Sequence, residues 1–519
     1  MTEENERKFI IEKTQSVCPV CNKVIEATIF ERDGKVWIEK DCPEHGHFED
    51  LYWGSYEMYV KARKWAHDGK GILNPNTQSE YCPFSCGLCP IHKSHTALLN
   101  IVVTNRCNLR CWYCFFYAER AGYIYEPTLE QIKEMLINAK SEKPVRCNAV
   151  QLTGGEPTLR DDLLNIIRLA KELGYDHVQV NTNGVKLAQD PELCKKIREA
   201  GSSTIYMSFD GVTKRTNPKN HEFVPKILEN CRNGGPGIVL VPTVIKGVND
   251  RELGDILKFA AQNIDIVRGV VYQPVSLVGS MPKKDIEKFR ITIPDCIERI
   301  ERQTNGEVTK DDWRPIPSVV PITHLIEALT GKPQYELTSH FACGMASYIF
   351  LGDDGKMVPI MRFVDIDGLL EYIDKLADEV RYTKLFKSRK IISALKKVDQ
   401  FVNKDKQPKG FDFTKMLINI AKNRGNYDAL GEFHRRTLFV GLMHFMDKYN
   451  YDVERVKRCV IHYGMPDGRI VPFCAFNVFP EIYRDAVQKR YGISIDEWER
   501  KTGRKLSDDF VKDVKPSEE

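Results

Sequence analysis

Three thiols within the thirteen-residue stretch Asn105-Arg-Cys107-Asn-Leu-Arg-Cys111-Trp-Tyr113-Cys114-Phe-Phe-Tyr117 constrain this chain more than any other feature. Their spacing is Cys-x3-Cys-x2-Cys, and they follow Leu98 to Val103 (Leu-Leu-Asn-Ile-Val-Val), an apolar run of strand length. Some forty residues after Cys114, behind a second such run, stands Gly154-Gly155-Glu156-Pro157. A cubane iron–sulfur cluster has four irons, and a closed electron-transfer cluster normally gives each iron its own thiolate. A loop that supplies three leaves one iron open to another ligand. A zinc knuckle or a simple electron carrier is the rival reading, and both the Gly-Gly-Glu-Pro and the preceding strand weigh against it.

The combination resembles the radical S-adenosylmethionine (SAM) superfamily over roughly Leu98 to Val278. The resemblance implies a [4Fe-4S] cluster on Cys107, Cys111 and Cys114 whose open iron chelates the amino and carboxylate groups of SAM. It implies that Gly154, Gly155, Glu156 and Pro157 meet the SAM amino group, with Asn181 and Ser208 near its ribose or carboxylate. Tyr113 and Asp210 join this SAM-binding set. Val244 to Gly247 and Tyr272 with Gln273 would lie near the adenine and methionine ends.

Six apolar runs support the corresponding fold: Leu98 to Val103, Asn148 to Leu152, His177 to Val180, Thr204 to Phe209, Ile238 to Ile245 and Gly269 to Gln273. Helical patterns separate them, one opening with the capping box Thr128-Leu-Glu-Gln131 and another carrying Leu163, Ile166, Ile167 and Ala170. The expected class is α/β, a partial (β/α)6 radical SAM barrel, because a closed eightfold barrel needs two more strands. Chemistry in such barrels sits at the carboxyl ends of the strands. Gly154, Asn181-Thr182-Asn183-Gly184, Ser208 and Asp210 fall there.

Sixteen cysteines, with a polar amino terminus and no apolar export segment behind it, point to metal ligation in a reducing cytosol. Cys18-Pro-Val-Cys21 and Cys42-Pro-Glu-His45 make the two corners of a rubredoxin-like or zinc-ribbon knuckle, with Asp33-Gly34 turning the hairpin between them. His45 is the expected fourth ligand and His47 the reserve; one mononuclear zinc or iron would suit the set. Cys82, Cys86 and Cys89 repeat the Cys-x3-Cys-x2-Cys spacing without a preceding strand, and are assigned to an auxiliary cluster completed by His92, His95, Cys147 or an exogenous group. A second zinc site including His92 is the rival. Cys147, Cys194, Cys231 and Cys296 read as buried small hydrophobes.

Beyond Val278, two segments look like related hairpins. Cys343 precedes a strand, an Asp354-Gly355 turn and Lys356-Met-Val-Pro359; Cys459 precedes a strand, an Asp467-Gly468 turn, Arg469-Ile-Val-Pro472 and Cys474. Cys343, Cys459 and Cys474 are read as converging on a third cluster, with His462 as the candidate fourth ligand and three unconnected buried thiols as the rival. The expected domains are the knuckle and its connecting helix within Glu49 to Lys70 (1–72), the auxiliary-cluster segment (73–97), the barrel (98–280) and a C-terminal α+β auxiliary-cluster and substrate domain (281–519). Met416 to Ala421 and Leu438 to Met446 read as apolar helices, and the charged tail from Ser507 is expected to fray.

As a whole the chain resembles the archaeal tetraether lipid synthase family, and this likeness implies the activity. That family joins the terminal carbons of two phytanyl chains of archaeol-type diether lipids through a 5'-deoxyadenosyl radical. The implied partners are a long-chain isoprenoid diether lipid and a low-potential electron donor such as ferredoxin, with a cytoplasmic protein that touches the membrane surface. The alternatives are a radical SAM maturase or methyltransferase acting on a peptide, RNA or another lipid, and a non-enzymatic iron–sulfur or zinc-ribbon binding protein. With 76 Lys and Arg against 72 Asp and Glu, the net charge of +4 forms no basic block, and nucleic-acid binding is not expected.

Overall fold

The computed structural model describes residues 8–115, 117–281, 286–381, 397–416 and 436–515. At the amino terminus, strands β1 (Phe9–Val17), β2 (Val24–Arg32), β3 (Lys35–Cys42) and β4 (Gly46–Trp53) form an antiparallel sheet in that order. Alternation puts Ala27, Ile29, Val36, Ile38 and Tyr52 into the core. The β2–β3 turn has Asp33 and Gly34 both left-handed, φ 54° and 71°, as a two-residue hairpin of this hand requires. The helix expected within Glu49 to Lys70 is shorter than its pattern: Glu49 to Trp53 pair with β3, and α1 (Tyr56–Arg63) starts only where Ser55 caps the Met58 N–H.

The ribbon is bolted to the carboxyl-terminal third by buried polar contacts. Lys40 donates to Ser16 Oγ at 2.9 Å and to the Lys448 and Tyr449 carbonyls, each at 2.8 Å. Burial pushes its ammonium down to about 8. Tyr52 and Thr14 each donate to Asp452 at 2.7 Å, and Arg290 spans Asp50 and Asp447.

All six expected barrel strands are present: β5 (Leu98–Thr104), β7 (Ala149–Gly154), β8 (His177–Thr182), β9 (Thr204–Ser208), β10 (Gly237–Val241) and β11 (Val267–Pro274), with the short β6 (Leu109–Cys111) in the first loop. The helix Leu129–Lys140 starts with the capping box at Thr128 and Gln131. It turns Ile132, Met135, Leu136 and Ala139 inward, and Leu163–Glu172 does likewise with Leu163, Ile166, Ile167 and Ala170.

After β11, the two hairpins are β12 (Gly344–Leu351) with β13 (Met357–Pro359), and β15 (Ile461–Gly464) with β16 (Ile470–Pro472). Between them lies β14 (Thr437–Met443), parallel to β11, while β15 runs parallel to β5. Among the described residues the parallel row is therefore β15-β5-β7-β8-β9-β10-β11-β14, two strands longer than the six legible in sequence. Thr437–Met443 corrects the helix expected over Leu438 to Met446. An unbroken apolar run fits a buried strand as well as a buried helix, and here β11 and β12 flank it on both edges. In the other expected apolar helix, residues 417–421 lie outside the described residues.

The tail does not fray where described. β17 (Lys512–Val514) pairs in parallel with β6, inside the cysteine loop itself. No helix among the described residues is long and apolar enough to cross a membrane.

Candidate functional site

The loop bearing Cys107, Cys111 and Cys114 leaves the carboxyl end of β5 and is held on three sides. The Trp112 N–H donates to the Val514 carbonyl at 3.0 Å, and the Val511 N–H donates to Asn108 O at 2.8 Å. Arg106, buried, pairs with Glu126 at 2.8 Å and with Asp509. The Gly-Gly-Glu-Pro turn lies against the same backbone: Gly155 N–H donates to Thr104 O at 2.8 Å and Glu156 N–H to Arg106 O at 2.7 Å.

This packing explains the two glycines. A Cβ on Gly154, whose φ is 139°, would lie 2.0 Å from Thr104 O, and one on Gly155 would lie 2.2 Å from Arg106 O. The close approach they allow is thus to the cysteine loop's own backbone as well as to the cavity both line. Glu156 is fully buried, and its carboxylate accepts from Thr158 N–H (3.0 Å), Thr158 Oγ1 (2.6 Å), Thr182 Oγ1 (2.7 Å) and Asn183 N–H (2.7 Å). It ties the turn to the end of β8, and Pro157 starts the short 3-10 turn behind it.

A cavity of about 670 Å³ opens above these elements and is lined by all three thiols, Tyr113, Gly154, Gly155, Asn181 and Ser208. Its floor carries polar side chains in register. Asn100, Gln151 and Gln179 are neighbours across β5, β7 and β8, and are joined by hydrogen bonds of 2.7 and 2.6 Å, with His177 on Gln179 at 2.7 Å. Lys219, 6 % exposed, also lines the cavity. Its ammonium pairs with Asp210 at 2.9 Å, and Tyr113 donates to the same carboxylate. Asp210 also accepts the Thr243 N–H at 3.0 Å, so its carboxylate serves the chain's own donors. Gln273 lines the cavity, whereas Tyr272 turns away and donates to Leu253 O at 2.7 Å, which corrects its expected place beside SAM.

The donor set fits a cluster. Burial first, then each other's charge, pushes the Cys107 thiol up, and burial raises Cys111 to about 12. Thiolates in such a place need a cationic group between them, which the irons of a cluster supply.

Cys343, Cys459 and Cys474 line the same cavity, together with Arg455 and His444. Burial raises Cys459 to about 11, and burial with the neighbouring Cys459 raises Cys474. Arg455 Nε donates to Cys343 Sγ at 3.4 Å. Of the Cys82, Cys86 and Cys89 set, Cys86 shares a hydrophobic cluster with Tyr451, Cys474 and Tyr483, and Cys82 packs against it. Cys147 packs in the main core with its thiol on Ala149 O at 3.3 Å, and His95 Nε2 accepts the Glu336 N–H at 3.1 Å. His462, the candidate fourth ligand of the third set, has both nitrogens engaged, Nδ1 on Thr96 Oγ1 at 3.0 Å and Nε2 on His92 Nε2 at 3.2 Å.

In the ribbon, the ligand atoms of Cys18, Cys21, Cys42 and His45 all lie within 4.8 Å of one another, a closed set for one tetrahedral ion. His47 instead pairs with Asp41 at 2.9 Å.

Reasoning from sequence missed Lys219, Arg455, His444 and the amide row. The row left a signal, an amide flanked on both sides by aliphatic residues in each of three strands (Asn100, Gln151, Gln179); the other three left none.

A parallel barrel with a three-thiol loop and a Gly-Gly-Glu-Pro turn at its mouth defines a radical SAM enzyme. The radical SAM superfamily model matches residues 101–260, and the model for the HMPTM N-terminal zinc ribbon domain matches residues 10–54. The 7,8-dihydro-6-hydroxymethylpterin dimethyltransferase of Methanocaldococcus jannaschii is 44% identical over 495 residues, covering 94% of this chain and 97% of that protein. The chain belongs to the family of that protein. A probable GTP 3',8-cyclase of Saccharolobus islandicus is 29% identical over 296 residues, 54% of this chain and 90% of that protein. Among solved structures, methylornithine synthase is 17% identical with a TM-score of 0.31, over 41% of this chain and 63% of that one, a likeness too slight to bear on function.

The relative that spans the chain corrects the expectation of tetraether lipid synthesis. Its name describes methyl transfer to a pterin, and the phytanyl-coupling activity and its diether lipid substrate are set aside. Superfamily membership carries a [4Fe-4S] cluster and SAM, and the ribbon carries one mononuclear metal.

Proposed function

We propose that this chain is a radical SAM methyltransferase acting on a pterin of the 7,8-dihydro-6-hydroxymethyl type. The observation that carries the proposal is the 44% identity to the Methanocaldococcus jannaschii dimethyltransferase across 94% of the chain. The peptide, RNA and lipid substrates of the alternative reading have no comparable support.

The cavity is consistent with this substrate. A pterin is a flat heterocycle edged with hydrogen-bond donors and acceptors, and the Asn100-Gln151-Gln179 row offers amides that can serve as either. Phe115, Phe445 and Phe473 among the lining residues supply apolar faces for such a ring.

Cys107, Cys111 and Cys114 would hold the SAM cluster, and when bound the cluster and SAM supply the 5'-deoxyadenosyl radical that removes hydrogen from carbon. The chain's own residues position and protect. Glu156 holds the Gly-Gly-Glu-Pro backbone in place, Asn181 and Ser208 face the cavity, and Lys219 offers a buried cation beside Cys111 and Cys114 for the SAM carboxylate. Tyr113 and Asp210 fix that ammonium. Cys82, Cys86 and Cys89, and Cys343, Cys459 and Cys474, would hold two auxiliary clusters served by a low-potential donor such as ferredoxin.

The test uses reconstituted enzyme without oxygen, a reductant, SAM and dihydro-hydroxymethylpterin deuterated at its saturated carbons. Deuterium in 5'-deoxyadenosine is expected, whatever the source of the methyl group. Deoxyadenosine formed in the pterin's presence without deuterium sinks the reading.

A further inference from the structure

We propose that His444 is the fourth protein ligand of the cluster held by Cys343, Cys459 and Cys474, giving a site of three thiolates and one imidazole. The proposal rests on the reading of those three cysteines as cluster ligands.

The backbone sets the geometry. In the antiparallel β12–β14 ladder Gly344 faces Met443, and the ladder continues one step as the His444 N–H donates to Cys343 O at 2.9 Å. Cys343 and His444 are therefore cross-strand neighbours, and neighbours of that kind put their side chains on one face. Two residues further along the same segment, the Met446 N–H donates to Cys474 Sγ at 3.4 Å. Arg455 closes the group from behind, with Nε on Cys343 Sγ and Nη2 on His444 O at 2.9 Å. All of Cys343, Cys459, Cys474 and His444 line the cavity.

The second observation is what the imidazole lacks. His444 is 1 % exposed, and neither Nδ1 nor Nε2 has a hydrogen-bond partner. Leaving a buried polar group unpaired is costly, so a histidine with both nitrogens idle calls for a ligand. His462 and His92 bond to each other, and His92 Nε2 also meets Cys459 O at 2.9 Å; His340, three residues before Cys343, accepts the Ala342 N–H at Nδ1 at 3.3 Å.

The consequence separates this site from the one at Cys107, Cys111 and Cys114. Four protein ligands close the cluster to substrate and make it an electron carrier. A neutral imidazole in place of a thiolate removes one negative charge and raises the reduction potential, as it does where histidine replaces cysteine in other clusters.

The experiment uses whole reconstituted enzyme carrying 15N-labelled histidine, reduced and examined by pulsed electron paramagnetic resonance, with iron counted in each preparation. Wild type is expected to show a directly bound histidine nitrogen. His444→Cys should keep full iron, lose that coupling and show a lower midpoint potential; His444→Ala should regain a 15N coupling when 15N-labelled imidazole is added. Cys459→Ala should lose about four irons together with the coupling. Undiminished coupling in His444→Cys overturns the assignment, as does a substrate-binding loss with an unchanged cluster spectrum. Full iron in Cys459→Ala overturns it differently, by removing the cluster on which it rests.

Discussion

Val514 lies opposite Cys111 in a parallel pair, with the Val514 carbonyl accepting the Trp112 N–H at 3.0 Å. Residues four hundred positions apart in the chain thus share the cluster loop, and Val514 packs against Leu109 and Val185 in a small apolar group of its own. Deleting residues 511–519 removes this brace but leaves the barrel intact. The expected result is the loss of about four irons and of SAM cleavage, with helix content unchanged, measured by iron assay and circular dichroism. Full cleavage by the truncated protein would show that the brace is dispensable.

Glu156 accepts four hydrogen bonds without exposure to water. In Glu156→Gln the amide nitrogen must face a donor, so at least one buried group goes unpaired. A loss of about 3 kcal/mol in denaturant unfolding is expected, together with weaker SAM binding by dialysis, because the turn and the end of β8 come apart.

The ribbon's ion should be separable from the barrel's iron. Cys42→Ser breaks the closed set of Cys18, Cys21, Cys42 and His45 and is expected to cost one metal ion per chain while the iron of the thiol triplets remains. Limited proteolysis should then cut within residues 9–53, because ligand binding and ribbon folding are one free energy. Protection equal to wild type would mean that the contacts of Lys40 and Tyr52 suffice alone.

Glu142 accepts from Thr96 N–H at 3.0 Å and Thr96 Oγ1 at 2.6 Å, and burial pushes its carboxyl up from 4.5 to about 7. Between these values the folded chain holds a proton that the unfolded chain has released. Stability from this group is therefore full below pH 4.5 and is lost as pH rises through 7, by about 3 kcal/mol. Glu142→Gln should flatten that part of the profile in thermal unfolding across pH 5 to 7.5.

What could be read from the chain was local. The six strands from Leu98 to Gln273, the capping box at Thr128 and the Asp33-Gly34 hairpin each declare themselves within a few residues, through period, capping and turn chemistry. The knuckle's four ligands sit in two short corners for the same reason. Leu438 to Met446 was misread because burial on both edges erases period, and the tail because its partner lies at Leu109 to Cys111.

The substrate reading failed for a related reason. Overall likeness in cysteine pattern carries the cofactor, whereas the ligand is chosen by side chains that converge from distant strands. By itself the sequence determined the barrel, the ribbon and the SAM-cluster thiols, because each is a short-range pattern with its own physical signature. Only the tertiary structure decided that β14 and β15 lengthen the parallel row, that Val514 braces Cys111, and that His444 rather than His462 stands unpartnered beside Cys343. Those relationships depend on long-range pairing, whose loop-closing cost and register leave no local trace in the chain.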